Sequence, residues 1–283
     1  MRPFLAFAIL CVPFCAAGAE YDRALDLYNH TDYQASLNLL LPAHRKTPAE
    51  LALIGQDYFM LGDARRASEF FQQAVAVEPG NSVYHHWLGR AYGRRAEMGN
   101  PFTAMSYASK TRQSFEKAVE LDPKNYEAVN DLFEYYLEAP GFIGGGMDKA
   151  VIVAERIAEH NAAEGNYARA RIEEKRKNYS RAEEHLRRAM ELAPRQVGRV
   201  IDLARFLAKQ GRYEESERTF VAAEKLAPNA PRVMYARAAS YIETGRNIEM
   251  ARTLLEKYLA SALTPDDPPR QEAEKLLHQA SGG

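Results

Sequence analysis

Phe71-Gln72-Gln73-Ala74-Val75-Ala76-Val77-Glu78-Pro79 sets a large apolar residue, a small one three positions later, and a proline five beyond that. The same spacing returns at Phe115, Ala118 and Pro123, at Leu186, Ala189 and Pro194, at Phe220, Ala223 and Pro228, and at Leu40, Ala43 and Pro48. Residues three apart share a face of a helix. The alanine lets a neighbouring helix approach closely, and the proline cannot continue the helix and marks its end. The acid before the proline, at Glu78 and Asp122, suits the start of a turn. Each triplet therefore predicts a helix that packs and then stops.

A second helix is expected upstream of each triplet. Leu51, Ile54-Gly55 and Tyr58 fall on one helical face, and Leu88-Gly89 with Tyr92, Leu203-Ala204 with Leu207, and Ala238 with Tyr241 repeat parts of that pattern. Short turns separate the two helices: Thr31-Asp32-Tyr33, Gly62-Asp63, Lys177-Asn178-Tyr179, Gly211-Arg212-Tyr213 and Gly245-Arg246-Asn247. Glycine or asparagine in them is expected to supply the helix stop. The unit is helix, tight turn, helix, turn, and the 34 residues from Pro194 to Pro228 give its length.

Leu88-Gly89-Arg90-Ala91-Tyr92 followed by Ser114-Phe115 through Pro123 resembles the tetratricopeptide-repeat motif. His85 stands where that motif often has tryptophan, and Trp87 lies beside the leucine instead. The resemblance implies an all-α fold: a right-handed superhelix, or α-solenoid, of about seven helix-turn-helix repeats. The units fall near 20–48, 49–81, 82–125, 126–162, 163–196, 197–230 and 231–265, and an amphipathic capping helix and tail follow at 266–283. Two interruptions stand out. One lengthens a hairpin between Tyr92 and Phe115, as an arm able to touch a partner. The other is Pro140-Gly141-Phe142-Ile143-Gly144-Gly145-Gly146, where Phe142 and Ile143 are expected to tuck between repeats while the glycines make a tight return. The nucleotide loop G-x-x-x-x-G-K-[ST] is not matched there, since Lys149 is misplaced.

In tetratricopeptide-repeat arrays the first helix of each unit lines the concave face, where partners bind. Carried onto this chain, the resemblance implies groove positions at Phe59, His86, Arg90, Arg94, Asn130, Glu134, Glu138, Tyr167, Arg171, Arg205 and Tyr235, with the loop residues Phe142, Gly144, Gly145 and Gly146 as a further contact. Their charges run basic, acidic, then basic again, a pattern suited to a long partner segment of complementary charge.

The chain opens Met1-Arg2-Pro3, runs apolar from Phe4 to Phe14, and reaches Ala17-Gly18-Ala19 before Glu20. That is the layout of a cleavable secretory signal over 1–19, so export to the periplasm or cell envelope is expected. Both cysteines, Cys11 and Cys15, lie within it, so disulfides and thiolate metal sites are not expected beyond it. Without Arg2 the balance is 36 basic against 38 acidic residues, which speaks against nucleic acid as a partner. No later stretch is apolar for the roughly 20 residues a membrane span needs.

No H-E-x-x-H or G-x-S-x-G pattern nominates a metal site or a nucleophile. The expectation is a non-catalytic adaptor for other proteins, with no cofactor or metal; the alternatives are a module for an envelope glycan or lipid and, resting only on the Gly144-Gly145-Gly146 loop, an enzyme. Nothing in the sequence specifies self-association.

Overall fold

A computed structural model describes residues 14–282. Residues 1–13, most of the expected signal segment, lie outside the described residues. Every regular element among those described is helical: α1 (Phe14–Asn29), α2 (Tyr33–Leu40), α3 (Pro48–Met60), α4 (Ala64–Val77), α5 (Ser82–Met98), α6 (Pro101–Leu121), α7 (Tyr126–Glu138), a 3-10 turn at Gly141–Ile143, α8 (Met147–His160), α9 (Ala162–Lys175), α10 (Tyr179–Leu192), α11 (Val197–Lys209), α12 (Tyr213–Leu226), α13 (Pro231–Thr244), α14 (Ile248–Leu259) and α15 (Arg270–Ala280). No helix among the described residues is long and apolar enough to cross a membrane.

The helices pair into seven antiparallel hairpins, and α15 closes the array. Four of the triplets behave alike. Phe71, Phe115, Leu186 and Phe220 and their partner alanines are buried, and Pro79, Pro123, Pro194 and Pro228 each follow the capping residue of a finished helix. The fifth differs. Leu40 ends α2, Ala43 lies beyond the helix, and Pro48 opens α3 at its first turn rather than closing α2. Proline suits a first turn because the N–H it lacks would have no partner there. Thr47 and Glu50 complete that N-terminus as a reciprocal capping box.

The residue that turns the chain between paired helices is left-handed: Thr31, Gly62, Lys177, Gly211 and Gly245 have φ of 61°, 80°, 63°, 75° and 64°. In two of these turns the stop is therefore Thr31 and Lys177, not the asparagine or glycine the sequence suggests. The lengthened hairpin adds to both its helices, giving α5 17 residues and α6 21. Asn100 caps α6 by accepting from the N–H groups of Phe102 and Thr103, at 3.1 Å each. Met98, Phe102 and Met105 stand exposed at the tip.

Candidate binding groove

Each helix packs on the next, and consecutive first helices also touch: α3 on α5, α5 on α7, α7 on α9, and α11 on α13. Consecutive second helices make no comparable contact among the described residues. The first helices therefore form the inner wall of the curve and the second helices the outer one. All the groove positions from Phe59 to Tyr235 lie on first helices.

The charges of that wall pair mostly with one another. On α5, His86 is 2% exposed, and its Nε2 lies 2.8 Å from Asp131 Oδ2 of α7. The imidazole is thus committed behind the groove surface. Arg90 Nε stands 3.7 Å from the same carboxylate, with its guanidinium 4.5 Å from the centre of the Trp87 ring and 5.3 Å from that of Phe59. Between α7 and α9, Arg171 donates to Glu134 at 2.9 Å and to Glu138 at 3.0 Å, while Lys175 reaches Glu138 at 2.6 Å. Burial pushes the Glu134 carboxyl up despite Arg171. Burial also acts on Glu138, but Lys175 and Arg171 outweigh it and hold that carboxyl below its ordinary value. The alternation of sign legible in the sequence is thus a ladder of ties between neighbouring repeats, satisfied largely within the chain.

Beyond Arg171 the pattern changes. A cavity of about 230 Å³ opens between α9 and α11, with Tyr167, Arg171, Glu174, Asp202, Arg205 and Lys209 in its lining. Asp202 is packed against Arg199, at 3.3 Å, and burial pushes its carboxyl up to about 6 against the pull of Arg199 and Arg205. Arg199 in turn lies over the Tyr167 ring, 4.4 Å from its centre. Lys209 reaches Glu243 only at 3.8 Å. Arg205 is exposed, and among the described residues its guanidinium has no hydrogen-bond or ion-pair partner. It also lines the neighbouring cavity of about 590 Å³, with Tyr235, Arg232, Leu276 and Asp266. Tyr235 rests against the Tyr258 ring with centroids 5.3 Å apart. Asn130 is half-buried on α7.

The glycine loop is a structural joint. Gly144 has φ +93°, and a Cβ there would lie 2.5 Å from Arg112 Nε; a Cβ on Gly145 would lie 1.8 Å from the Ala139 carbonyl oxygen. The Gly146 N–H donates to Tyr136 O at 2.9 Å, the Tyr135 hydroxyl to Ile143 O at 2.9 Å, and Lys149 Nζ to Gly144 O at 2.9 Å. Hydrogen bonds and close backbone approach close the loop. The expectation that Phe142 tucks between repeats is corrected: it is 77% exposed, because the 3-10 turn pins the carbonyl of Ile143 inward and leaves the preceding side chain in solvent. No cluster of three or more His, Cys, Asp or Glu is arranged for a metal among the described residues.

Several groove residues escape the sequence reading. Asp131, the shared acceptor of His86 and Arg90, is adjacent to Asn130 and off the expected face by one position. Asp202 precedes Arg205 by three on the same helical face, a spacing that could have found it. Gln271 and Glu272 of α15 could not be placed on the wall from sequence at all. The Gln271 side chain donates to Leu61 O at 2.6 Å, and Glu272 pairs with Arg94.

With this geometry in place, comparison with known proteins gives a consistent result. Residues 162–240, from α9 into α13, match the family model described as tetratricopeptide repeat. No curated protein matches the chain in sequence. Among solved structures, a tetratricopeptide repeat protein from Parabacteroides merdae is similar at TM-score 0.60 and 14% identity, over 94% of this chain and 99% of that one. A thermophilic protein of this type from Thermus thermophilus is similar at TM-score 0.53 and 18% identity, over 71% and 98%. The C-terminal part of a repeat-containing protein from Cytophaga hutchinsonii gives TM-score 0.50 at 14% identity, over 91% and 99%. At such identities the likeness establishes the fold.

Proposed function

We propose that this tetratricopeptide-repeat solenoid is a non-catalytic scaffold of the bacterial periplasm or cell envelope, which holds an acidic segment of a partner protein against α9, α11 and α13. Proteins with this fold are generally protein–protein interaction scaffolds. The observation that carries the finer reading is Arg205. Its neighbours on the inner wall are mostly tied to one another, whereas Arg205 lies between two cavities, near enough to Asp202 and Glu174 to favour their charged forms yet, among the described residues, in no hydrogen bond or ion pair with either. A carboxylate of a bound segment meets that cation, and the part-exposed Tyr167 and Tyr235 offer apolar contact on either side. Charge complementarity of this kind sets orientation and specificity more than affinity. The basic start, the apolar run and Ala17-Gly18-Ala19 support export.

The test is capture from periplasmic extract with the purified chain and with Arg205→Glu. A protein retained by the first and lost by the second is expected. Recovery of the same proteins by both, or thermal stabilisation by envelope glycans or lipids with no protein captured, overturns the reading.

A further inference from the structure

The arm that lengthens the third hairpin ends in an uncharged apex. From Met98 to Ser109, twelve residues carry no charged side chain. Met98, at the end of α5, is 74% exposed, and Phe102 and Met105, about one turn apart on α6, are 87% and 50% exposed. The backbone donors of the apex find acceptors close at hand. The Asn100 side-chain oxygen accepts from the N–H groups of Phe102 and Thr103, and its backbone carbonyl from Ala104 at 2.9 Å. The Gly99 N–H donates to Ala96 O, and Pro101 has no N–H to satisfy. Donors already met within the chain lose little on entering a medium poor in water.

Behind the apex lies a band of cations and tyrosines. Arg95, three residues before Met98 on α5, lies 4.1 Å from the centre of the Tyr107 ring and donates to Ser68 Oγ at 2.8 Å. Lys110 follows Phe102 by eight residues on α6, about 12 Å along the helix. Its Nζ stands 5.5 Å from the centre of the Tyr92 ring and 5.4 Å from that of Tyr107. Among the described residues neither cation pairs with a carboxylate. The nearby acids are answered by other arginines: Glu97 by Arg94 at 3.2 Å, Asp63 by Arg66 at 3.4 Å and Glu69 by Arg65 at 3.1 Å. An apolar end backed by tyrosines and long basic side chains follows the layering of a bilayer interface, where such groups sit at headgroup depth.

The size of the apex bears on what covers it. At roughly 200 Å² for a large side chain, these exposures leave an apolar apex on the order of 400 Å². That is about half of the ~800 Å² that each side of an ordinary protein interface buries. A fluid bilayer requires neither that area nor a matching outline. We infer that the α5–α6 arm is a membrane-contact site: Met98, Phe102 and Met105 enter the interface of an anionic lipid surface, and Arg95 and Lys110 meet its phosphates. Insertion is shallow, about 5–10 Å, and the hold is reversible and weakened by salt. The contact uses the end of a hairpin and none of the residues on which capture at Arg205 rests.

The test is co-sedimentation of the purified chain with vesicles of phosphatidylcholine alone and of phosphatidylcholine mixed with phosphatidylglycerol. Binding to the mixed vesicles is expected to be at least tenfold tighter and to fall as salt is added. Phe102→Asp is expected to weaken it at least tenfold, and Lys110→Glu at least threefold. Both side chains are exposed, and an acid suits the first turn of α6, so both variants should keep the melting midpoint of the natural chain. Phe102→Trp sets a reporter at the apex. Over the background of Trp87, its emission should shift to the blue on mixed vesicles and be quenched by lipids with brominated chains. No retention on mixed vesicles, equal retention on both kinds, retention indifferent to Phe102→Asp, or an unmoved emission overturns the inference. So does a concentration-dependent dimer that Phe102→Asp disperses while vesicles retain nothing, since a second copy is then the occupant. Arg205→Glu is expected to leave vesicle binding unchanged, and Phe102→Asp to leave periplasmic capture unchanged, so the two readings fail separately.

Discussion

Asp57 offers the sharpest quantitative test of how this array is held together. It is 0% exposed on α3; one carboxyl oxygen accepts from the Ser36 hydroxyl of α2 at 2.8 Å, and the other has no partner. Burial pushes its carboxyl from 3.8 up to about 8, with the Ser36 hydrogen bond opposing. The folded chain therefore keeps a proton that the unfolded chain releases above about pH 4. The associated stability is fully present below pH 3.8, falls as pH rises, and is gone above about pH 8. The slope in that window is about 1.4 kcal/mol per pH unit, which gives ~4 kcal/mol between pH 4 and pH 7. Relaxation of the surrounding helices and entry of water around the charge reduce this to an expected ~1–3 kcal/mol.

Asp57→Asn removes the titration and keeps an acceptor for Ser36. The variant should match the natural chain near pH 4.5 and exceed it by ~1–3 kcal/mol at pH 7. Urea unfolding followed by Trp87 fluorescence is the assay, because that single tryptophan stacks on Phe71, 5.8 Å between centroids, in the same part of the array. A local probe is needed, since repeat arrays do not unfold as one unit. Parallel pH profiles for the two proteins would refute the reasoning.

Three further outcomes are expected. Gly165→Ala places a Cβ 2.4 Å from the Ala158 Cα across the α8–α9 contact, where no rotamer can escape. It should cost ~2–3 kcal/mol of stability by urea unfolding, whereas Gly198→Ala, which meets nothing within 4 Å, should be neutral or slightly stabilising. Thr31→Gly relieves a left-handed β-branched residue at φ 61° and should add up to ~1 kcal/mol of stability after the added freedom of the unfolded chain is subtracted, read as a higher midpoint of thermal unfolding. Mass spectrometry of the protein recovered from periplasm should find a chain beginning near Glu20, and an intact Met1 in that fraction would remove the support for cleavage.

Much of the fold is legible because its rules are local. Phe71 with Ala74, or Phe220 with Ala223, identifies a packing face through neighbours three residues away, and a proline after the cap records where the helix must end. The triplet at Leu40 shows the limit of this reasoning. A proline eight residues past a core leucine can open the next helix as readily as close the last, and spacing alone does not distinguish the two. The turns at Thr31 and Lys177 show another limit: the short loop imposes a left-handed residue whether or not the sequence supplies glycine.

The groove was half legible. The resemblance to the repeat family implied one wall for Arg90, Glu134, Arg171 and Arg205, but not their partners, since those sit on other helices at separations only the superhelical curvature determines. Hence the alternating charges look in sequence like an invitation to a ligand, and in space are mostly ties between repeats, with Arg205 left over. Phe142 was misread for a related reason: its burial depends on which way a three-residue turn faces, which hydrophobicity does not encode.

The sequence by itself determined the repeat, its helical content and the joints between helices, all set by contacts within about 34 residues, while the inward-facing helix of each pair was implied only by the resemblance to the repeat family. The tertiary structure alone decided which groove charges remain unpaired, that the three glycines serve close backbone approach, and that α15 returns across the curve to Leu61 and Arg94. Those features depend on the small rotation from each repeat to the next, accumulated over seven hairpins, and no local pattern of residues records that sum.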